Sequence, residues 1–281
     1  MELLQLVYFC DAAESENFSA TARKYSVPPS GISQTVKRLE EELSTKLFIR
    51  TTNRVTLSEE GKIFYEGAKE ALSALSRVQR MMKEKDGEPS GEIRIALRAH
   101  RRTATEAIER FRRKYPDVSF VITHDVDRGD FDFIITSNNE YVNNYEKKLL
   151  IKEKLLLALS DSVAYKGDDL YNYRDERFVT MGAETDFMRV LTRVCLSAGF
   201  SPKVVIQCDD PYYVRKYVEM DMGVTLVPSI SWRGMFSDKI KLVDLGDIYR
   251  DVYLFHKPEA EMTKAAKIFS EFLFETFKKE N

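Results

Sequence analysis

The sequence predicts an N-terminal all-α winged helix-turn-helix that runs on into one long helix, followed by a larger α/β domain. Three observations carry this. Two short helical segments are broken by Ser26-Val27-Pro28-Pro29 and followed at once by a basic, β-rich ribbon. One apolar repeat is sustained from Ile63 to Met82. After Asp86-Gly87-Glu88-Pro89-Ser90-Gly91, a hinge by composition, strand and helix patterns alternate to the last helix.

The first helix is expected from Glu2 to Ser15, with Leu3, Leu6, Val7, Phe9 and Cys10 as its apolar stripe and Cys10 as a small core hydrophobe. The second opens on Ser19 as N-cap and ends near Tyr25, presenting Ala20 and Ala22 for a close helix crossing. Proline lacks the N–H and pushes its predecessor out of the α region, so the helix cannot cross 26–29. A third helix restarts near Pro29 or Ser30, where a first-turn proline is harmless. Its apolar positions Ile32, Val36, Leu39 and Leu43 bury one face, and Ser30, Ser33, Gln34 and Lys37 form the other. Leu47-Phe48-Ile49 and Val55-Thr56-Leu57 then pair as a wing around the turn-like, basic run from Arg50 to Arg54. This is the pattern of a helix-turn-helix.

Charge agrees. From Phe18 to Ser58 seven Lys and Arg face only Glu40, Glu41 and Glu42, a local charge of +4 in a chain of net charge −2. A basic patch confined to one small domain is what phosphate contact requires. The three glutamates lie late in the third helix, away from its N-terminal end.

Ser58 caps the long helix, Glu59 and Glu60 suit its dipole, and it is expected to reach about Lys85. Ile63, Phe64, Ala68, Ala71, Leu72, Leu75, Val78 and Met82 make a stripe too long for the small winged domain to cover. Either the same helix of a second subunit covers it, antiparallel, or the chain's own C-terminal domain does. Beyond the hinge, strands are expected at 92–97, 118–123, 131–136, 147–159, 178–181, 203–207, 224–227, 239–243 and 252–255, and helices at 103–115, 186–198, 212–221 and 261–278. Alternation of this kind argues for α/β sheets with parallel pairing.

Composition bounds the function. At 281 residues, 43% hydrophobic and 31% charged, the chain is a soluble globular protein of about two domains beyond a small appendage. Cys10, Cys195 and Cys208 lack disulfide-framework or zinc spacing. The N-terminus has no basic n-region and no apolar run approaches the ~20 residues of a membrane span, so no membrane association and a cytoplasmic location are expected. No nucleophile elbow, phosphate-binding loop or dinucleotide fingerprint occurs, and neither enzymatic activity nor a cofactor is expected. His124–Asp132 is rich in carboxylates, but its glycine falls one position early for a calcium loop and no glutamate closes it, so a turn is the better account. Tyr212 and Tyr213 are read as helix-start packing rather than a stacking platform.

The residues resemble the LysR-type transcriptional regulators. The resemblance runs through Leu4–Phe9, Phe18–Ala22, Ser33–Leu43, Leu47–Arg50 and Val55–Gly61 at the family's spacing. It departs at Pro28-Pro29-Ser30-Gly31, where the family usually has a single proline, and at Gln34, where an arginine is common. It implies a winged domain over 1–58, a dimerisation helix over 59–85, a hinge at 86–91 and an effector domain over 92–281. That domain would be two α/β lobes like a periplasmic binding protein, lobe I being 92–159 plus 258–281 and lobe II 160–257. The expected partner is double-stranded DNA carrying an interrupted inverted repeat, bound by a homodimer or a tetramer of two dimers.

Within this frame Ser33 and Gln34 are expected at base edges, since glutamine pairs bidentately with adenine. Ser30 would serve bases or phosphate, Lys37, Arg38 and Arg50 phosphates, and Arg54 the backbone or minor groove. A small acidic metabolite would lie between the lobes, near strand ends and helix N-termini. Its walls would be Arg98, His100, Arg101 and Thr103 after the first strand, and Gly182, Glu184 and Thr185 before a helix. Family members often hold a carboxylate with serine or threonine at the first wall, where this chain has a cationic cluster. That cluster either binds an acidic effector or is a solvated surface of a reduced domain that serves only oligomerisation. Two other classes compete: a solute-binding module with a fused helical domain, and an architectural DNA-binding protein without sequence preference.

Overall fold

The computed structural model describes residues 1–51, 54–83, 88–124, 130–140, 142, 144–183 and 185–280. The chain separates into two units, Met1–Lys83 and Glu84–Asn281.

The first unit contains α1 (Leu3–Ser15), α2 (Phe18–Tyr25), α3 (Pro29–Glu42), the strands β1 (Phe48–Arg50) and β2 (Val55–Leu57), and α4 (Glu59–Lys83). It is all-α apart from the antiparallel β1–β2 wing, in which Phe48 faces Leu57 and Arg50 faces Val55. The N-cap of α2 is Asn17, not Ser19. The Asn17 side chain accepts from the Ala20 N–H at 3.0 Å, so the helix begins earlier than expected. Ser26 ends it in the left-handed region at φ 54°, its N–H directed to the carbonyls of Ala22 and Arg23. Phe9, Ile32, Val36 and Leu39 are fully buried. Phe48 lies edge-on to Phe9 at 5.6 Å and to Phe18 at 5.1 Å between ring centres. Burial pushes the Cys10 thiol up to about 12, with Glu14 and Asp11 adding to it, as suits an inert core hydrophobe.

The glutamate run is not a solvated acidic patch. Glu40 is 3% exposed, and its carboxylate accepts from the backbone N–H groups of Leu47 (2.9 Å) and Phe48 (3.1 Å). It thereby ties the start of the wing to α3. Glu41 pairs with Lys37 at 3.6 Å, and Glu42 receives the terminal amine at 2.6 Å and the Gln5 amide at 3.1 Å.

Ser58 caps α4 as expected, accepting from the Gly61 N–H at 2.8 Å while donating to the Lys46 carbonyl at 2.7 Å. Gly61 is required by packing. A Cβ there would stand 2.0 Å from the Leu47 carbonyl oxygen. The first half of the α4 stripe, through Phe64, Ala68 and Leu72, packs on the winged core. Ile63, Leu75, Val78 and Met82 remain 76%, 48%, 48% and 81% exposed.

The second unit contains β3 (Gly91–Leu97), α5 (Arg101–Lys114), β4 (Val118–Thr123), β5 (Phe133–Thr136), β6 (Glu146–Ser160), β7 (Arg177–Met181), α6 (Asp186–Ser197), β8 (Lys203–Cys208), α7 (Pro211–Glu219), β9 (Thr225–Pro228), β10 (Ile240–His256) and α8 (Lys264–Lys278). The main sheet runs β4-β3-β5-β10-β6-β9. Pairing is mixed rather than purely parallel. β3 runs parallel to β4 and β5, and β7 to β8, whereas β10 is antiparallel to β5 and β6, and β6 to β9. A parallel bridge from Phe178 to Val224 brings β7 beside β9.

The expected strands at 239–243 and 252–255 are one strand. The polar stretch Asp244–Asp251 breaks the apolar alternation, yet after a register shift Tyr249, Arg250 and Asp251 pair again with Lys154, Glu153 and Lys152 of β6. β6 and β10 therefore run as a pair through both lobes. Leu150, Ile151, Val252 and Leu254 belong to the core with α5 and α8, and Leu155, Leu157, Leu159 and Val243 to the core with α6 and β7. The chain thus crosses near Glu153 and Arg250, not at the expected 159/160 and 257/258. Residues 125–129 of the expected carboxylate-rich turn, 84–85 at the end of the expected long helix and 86–87 at the start of the hinge lie outside the described residues.

Candidate nucleic-acid interface and effector cleft

In the winged unit, Ser30, Ser33, Gln34 and Lys37 recur at three- and four-residue spacing on the side of α3 opposite Ile32, Val36 and Leu39, with Arg38 at the edge of that face. Ser30, Gln34, Lys37 and Arg38 are exposed. Ser30, Ser33 and Arg54 line one hollow with Asn17, Ser19 and Thr51, formed where the N-terminal ends of α2 and α3 meet the wing. Arg50 is the most constrained of the set. Its guanidinium donates to Ser33 Oγ at 2.9 Å, lies 3.7 Å from the Glu40 carboxylate and stacks 4.8 Å above the Phe18 ring centre. Ser33 is therefore already an acceptor for Arg50, and the wing and α3 share one polar junction. Arg54 closes the wing through its carbonyl, which accepts from Thr51 N–H at 2.9 Å.

In the second unit a cavity of about 220 Å³ lies between the lobes, at the C-terminal end of β3 and the N-terminal ends of α6 and α7. Arg98, His100 and Arg101 line it, as expected. Three other candidates do not. Thr103 is fully buried, its hydroxyl 3.2 Å from His100 Nδ1. Gly182 and Thr185 line a separate, open groove with Cys208 and Tyr217. Thr185 is the N-cap of α6, accepting from the Met188 N–H at 3.3 Å and donating to the Gly182 carbonyl at 2.7 Å. Glu184 lies outside the described residues. Tyr212, read as packing, is half exposed on the cleft wall beside Arg215, Trp232 and Met235, and Tyr213, equally exposed, lines the open groove.

The two walls are joined by Asp186, the first residue of α6. It is 6% exposed and accepts from the Thr136 hydroxyl and, at 2.9 Å, from the Ser137 N–H, both at the end of β5 in the other lobe. Its second oxygen stands 3.2 Å from the Arg98 guanidinium. Behind the cleft, where β6 and β10 cross, Glu153 is fully buried. It accepts from Arg250 Nε at 2.9 Å and Nη2 at 2.7 Å, and from the Ile230 N–H at 2.8 Å, with His100 Nε2 3.1 Å away. Burial pushes this carboxyl up, but Arg250, His100 and the Ser231 amide outweigh it, so it titrates well below the usual carboxylate range. Neither acid was among the expected site residues. For Glu153 a signal exists in the sequence. Strand alternation places it between Ile151 and Leu155 on the apolar face, opposite Lys152 and Lys154.

Among the described residues, no helix is long and apolar enough to cross a membrane and no cluster of three or more potential ligands could hold a metal ion. Residues 86–278 match the LysR substrate binding domain, and residues 3–62 match the bacterial regulatory helix-turn-helix protein of the lysR family. The chain is 28% identical over 300 residues to the transcriptional dual regulator GltC of Bacillus subtilis, across 99% of this chain and 98% of that one. The crystal structure of CbnR, a LysR family transcriptional regulator, has the same fold (TM-score 0.69, 19% identity, 98% of this chain and 99% of that one). So does full-length CbnR complexed with its target DNA (TM-score 0.55, 20% identity, 99% of this chain and 100% of that one). The matched helix-turn-helix and substrate-binding domain together span nearly the whole chain, and the protein belongs to the LysR family of transcriptional regulators.

Proposed function

We propose that the protein is a cytoplasmic homodimer that regulates transcription by binding an interrupted inverted repeat through α3 and the wing, under control of a small acidic effector. It acts by binding rather than catalysis. The reading is carried by one observation: Arg50 is held by Ser33, Glu40 and Phe18 beside the open face of Ser30, Gln34, Lys37 and Arg38. A guanidinium immobilised at the junction of helix and wing is preorganised for a phosphate, which sets the register of α3 in a major groove. Gln34 and Ser30 then reach base edges, Lys37 and Arg38 flank them on the backbone, and Arg54 extends from the wing. Full-length CbnR, which has the same fold, is complexed with its target DNA, and this supports a DNA-binding use of the domain.

The test is recovery of sheared genomic DNA from the protein's own source at physiological salt. A few fragments sharing an inverted repeat are expected, and uniform recovery would instead favour an architectural protein. Gln34→Ala is expected to relax preference at one base pair, at about 1–3 kcal/mol. Arg54→Ala is expected to weaken all sequences alike and to lower the salt dependence by about one phosphate. Identical behaviour of the two variants would overturn this division of roles.

A further inference from the structure

Five guanidinium groups reach the wall of the interlobe cavity: Arg98, Arg101, Arg102, Arg215 and Arg250. Three are matched by carboxylates. Arg98 meets Asp186 at 3.2 Å, Arg102 meets Glu106 at 2.9 Å and Glu280 at 3.4 Å, and Arg250 meets Glu153 at 2.7 Å. Arg101 and Arg215 are not. Both are half-buried, yet among the described residues neither has a carboxylate within ion-pair distance or a hydrogen bond. Arg215 lies against two rings, with its guanidinium 5.4 Å from the Trp232 centre and 6.0 Å from that of Tyr212. Burial lowers the pKa of both groups, and the acid acting on both is Asp210. That carboxylate also accepts from the Tyr212 N–H at 2.7 Å as the cap of α7, and it forms an ion pair with neither guanidinium.

Two half-buried cations facing one carboxylate leave the hollow with an excess of positive charge. They come from opposite sides, Arg101 opening α5 in the first lobe and Arg215 lying on α7 in the second. The alternative anion position is taken by the protein itself. Asp186 fills the place between Arg98, Thr136 and Ser137. Beside the free cations the wall is flat and apolar: Phe187 and Trp232 are stacked at 5.1 Å with planes 10° apart, near Met181 and Met235. At about 220 Å³ the hollow is smaller than the roughly 300–1,000 Å³ of ordinary ligand pockets, so its occupant is small.

We infer that the cleft takes a small, flat organic dianion, its charge shared between Arg101 of one lobe and Arg215 of the other, its body lying along Trp232 and Tyr212. This rests on the effector reading above and narrows it to a ligand class. A monocarboxylate bound at either guanidinium leaves the other without a direct partner. Two carboxylates or a single phosphoryl group satisfy both.

The test is titration calorimetry on the full chain without DNA, using phthalate and phenyl phosphate as dianions and benzoate as the matched monoanion. Phthalate, phenyl phosphate or both should bind at least about tenfold more tightly than benzoate. Binding of phthalate alone identifies a dicarboxylate, of phenyl phosphate alone a phosphoryl compound. Arg101→Gln and Arg215→Gln should each weaken that binding by at least about tenfold. Because neither cation has an ion pair among the described residues, both ligand-free variants should melt at or above the wild-type temperature. The inference is overturned if benzoate binds as tightly as the dianions, if either variant binds like wild type, or if neither dianion gives heat up to about 10 mM. A fall of more than about 4 °C in the melting temperature of either ligand-free variant would also overturn it, by revealing a structural partner. With no DNA in the cell, such a failure is separate from the outcome of the genomic binding experiment.

Discussion

Glu40 and Glu153 do the same work in different units: each is a carboxylate buried on an element's apolar face and surrounded by donors from another element. Glu40→Ala would strip the acceptor from two buried N–H groups, each worth about 1–3 kcal/mol when left unmade. We expect the winged unit to lose about 2–4 kcal/mol in urea unfolding, whereas Glu41→Ala, on the exposed face, should stay within about 0.5 kcal/mol. Glu153→Gln removes the charge that Arg250 faces and should destabilise the second unit by about 3 kcal/mol. The native carboxyl of Glu153 titrates below its ordinary value of 4.5, so the unfolded state binds the extra proton as pH falls. Its stabilisation is therefore complete above that ordinary value and is lost as pH drops below it. Chemical denaturation of wild type and Glu153→Gln between pH 7 and pH 3 should show a shallower acid loss in the variant. Which acids are buried was only half legible in the sequence. Alternation exposes the anomaly at Glu153, but nothing local separates Glu40 from Glu41, because the amides that claim it are those of Leu47 and Phe48, seven and eight residues on at the start of the wing.

Most helices and strands could be placed from the sequence because their boundaries are local chemistry: Pro28-Pro29 opens α3, Ser58 caps α4, and apolar spacing marks the faces. β10 could not. Its polar middle becomes strand only because β6 lies alongside, and that pairing spans roughly a hundred residues of sequence. Gly61 makes the same point. It looks like an ordinary weak residue in a helix, yet Leu47 from the wing occupies the space of its missing side chain. Gly61→Ala should therefore destabilise the winged unit by about 2 kcal/mol or more in thermal unfolding, reversing the usual gain of alanine in a helix. α4 carries the element-scale prediction for assembly. Leu75 and Val78 are half exposed in the single chain, past the point where the winged core covers the stripe. Leu75→Glu with Val78→Glu should shift sedimentation from dimer toward monomer while leaving the helix content of the chain unchanged.

At the scale of the second unit, the lobes meet through Asp186 on one side and through β6 and β10 on the other. Asp186→Ala would release Arg98, Thr136 and Ser137 together. We expect faster hydrogen exchange at the Ser137 amide and little change within either lobe core. The cleft walls were legible where they follow directly from a strand end, as at Arg98–Arg101. They were not legible where a wall is assembled from α7 and the segment around Trp232, which only the fold brings beside β3. The crossing pair has a further consequence. Between Asp244 and Tyr249 the register slips: four residues of β10, Leu245 to Ile248, stand against Leu155 alone, with Gly246 at φ 80°. A second, smaller slip lies between Val252 and Tyr253, where Leu150 of β6 is the extra residue. The connection therefore behaves as a torsion bar with two soft sections, the larger in β10 at Leu245 to Ile248 and the smaller in β6 at Leu150. Rotation of one lobe against the other about the strand axis would draw on the backbone that these two bulges can take up or release.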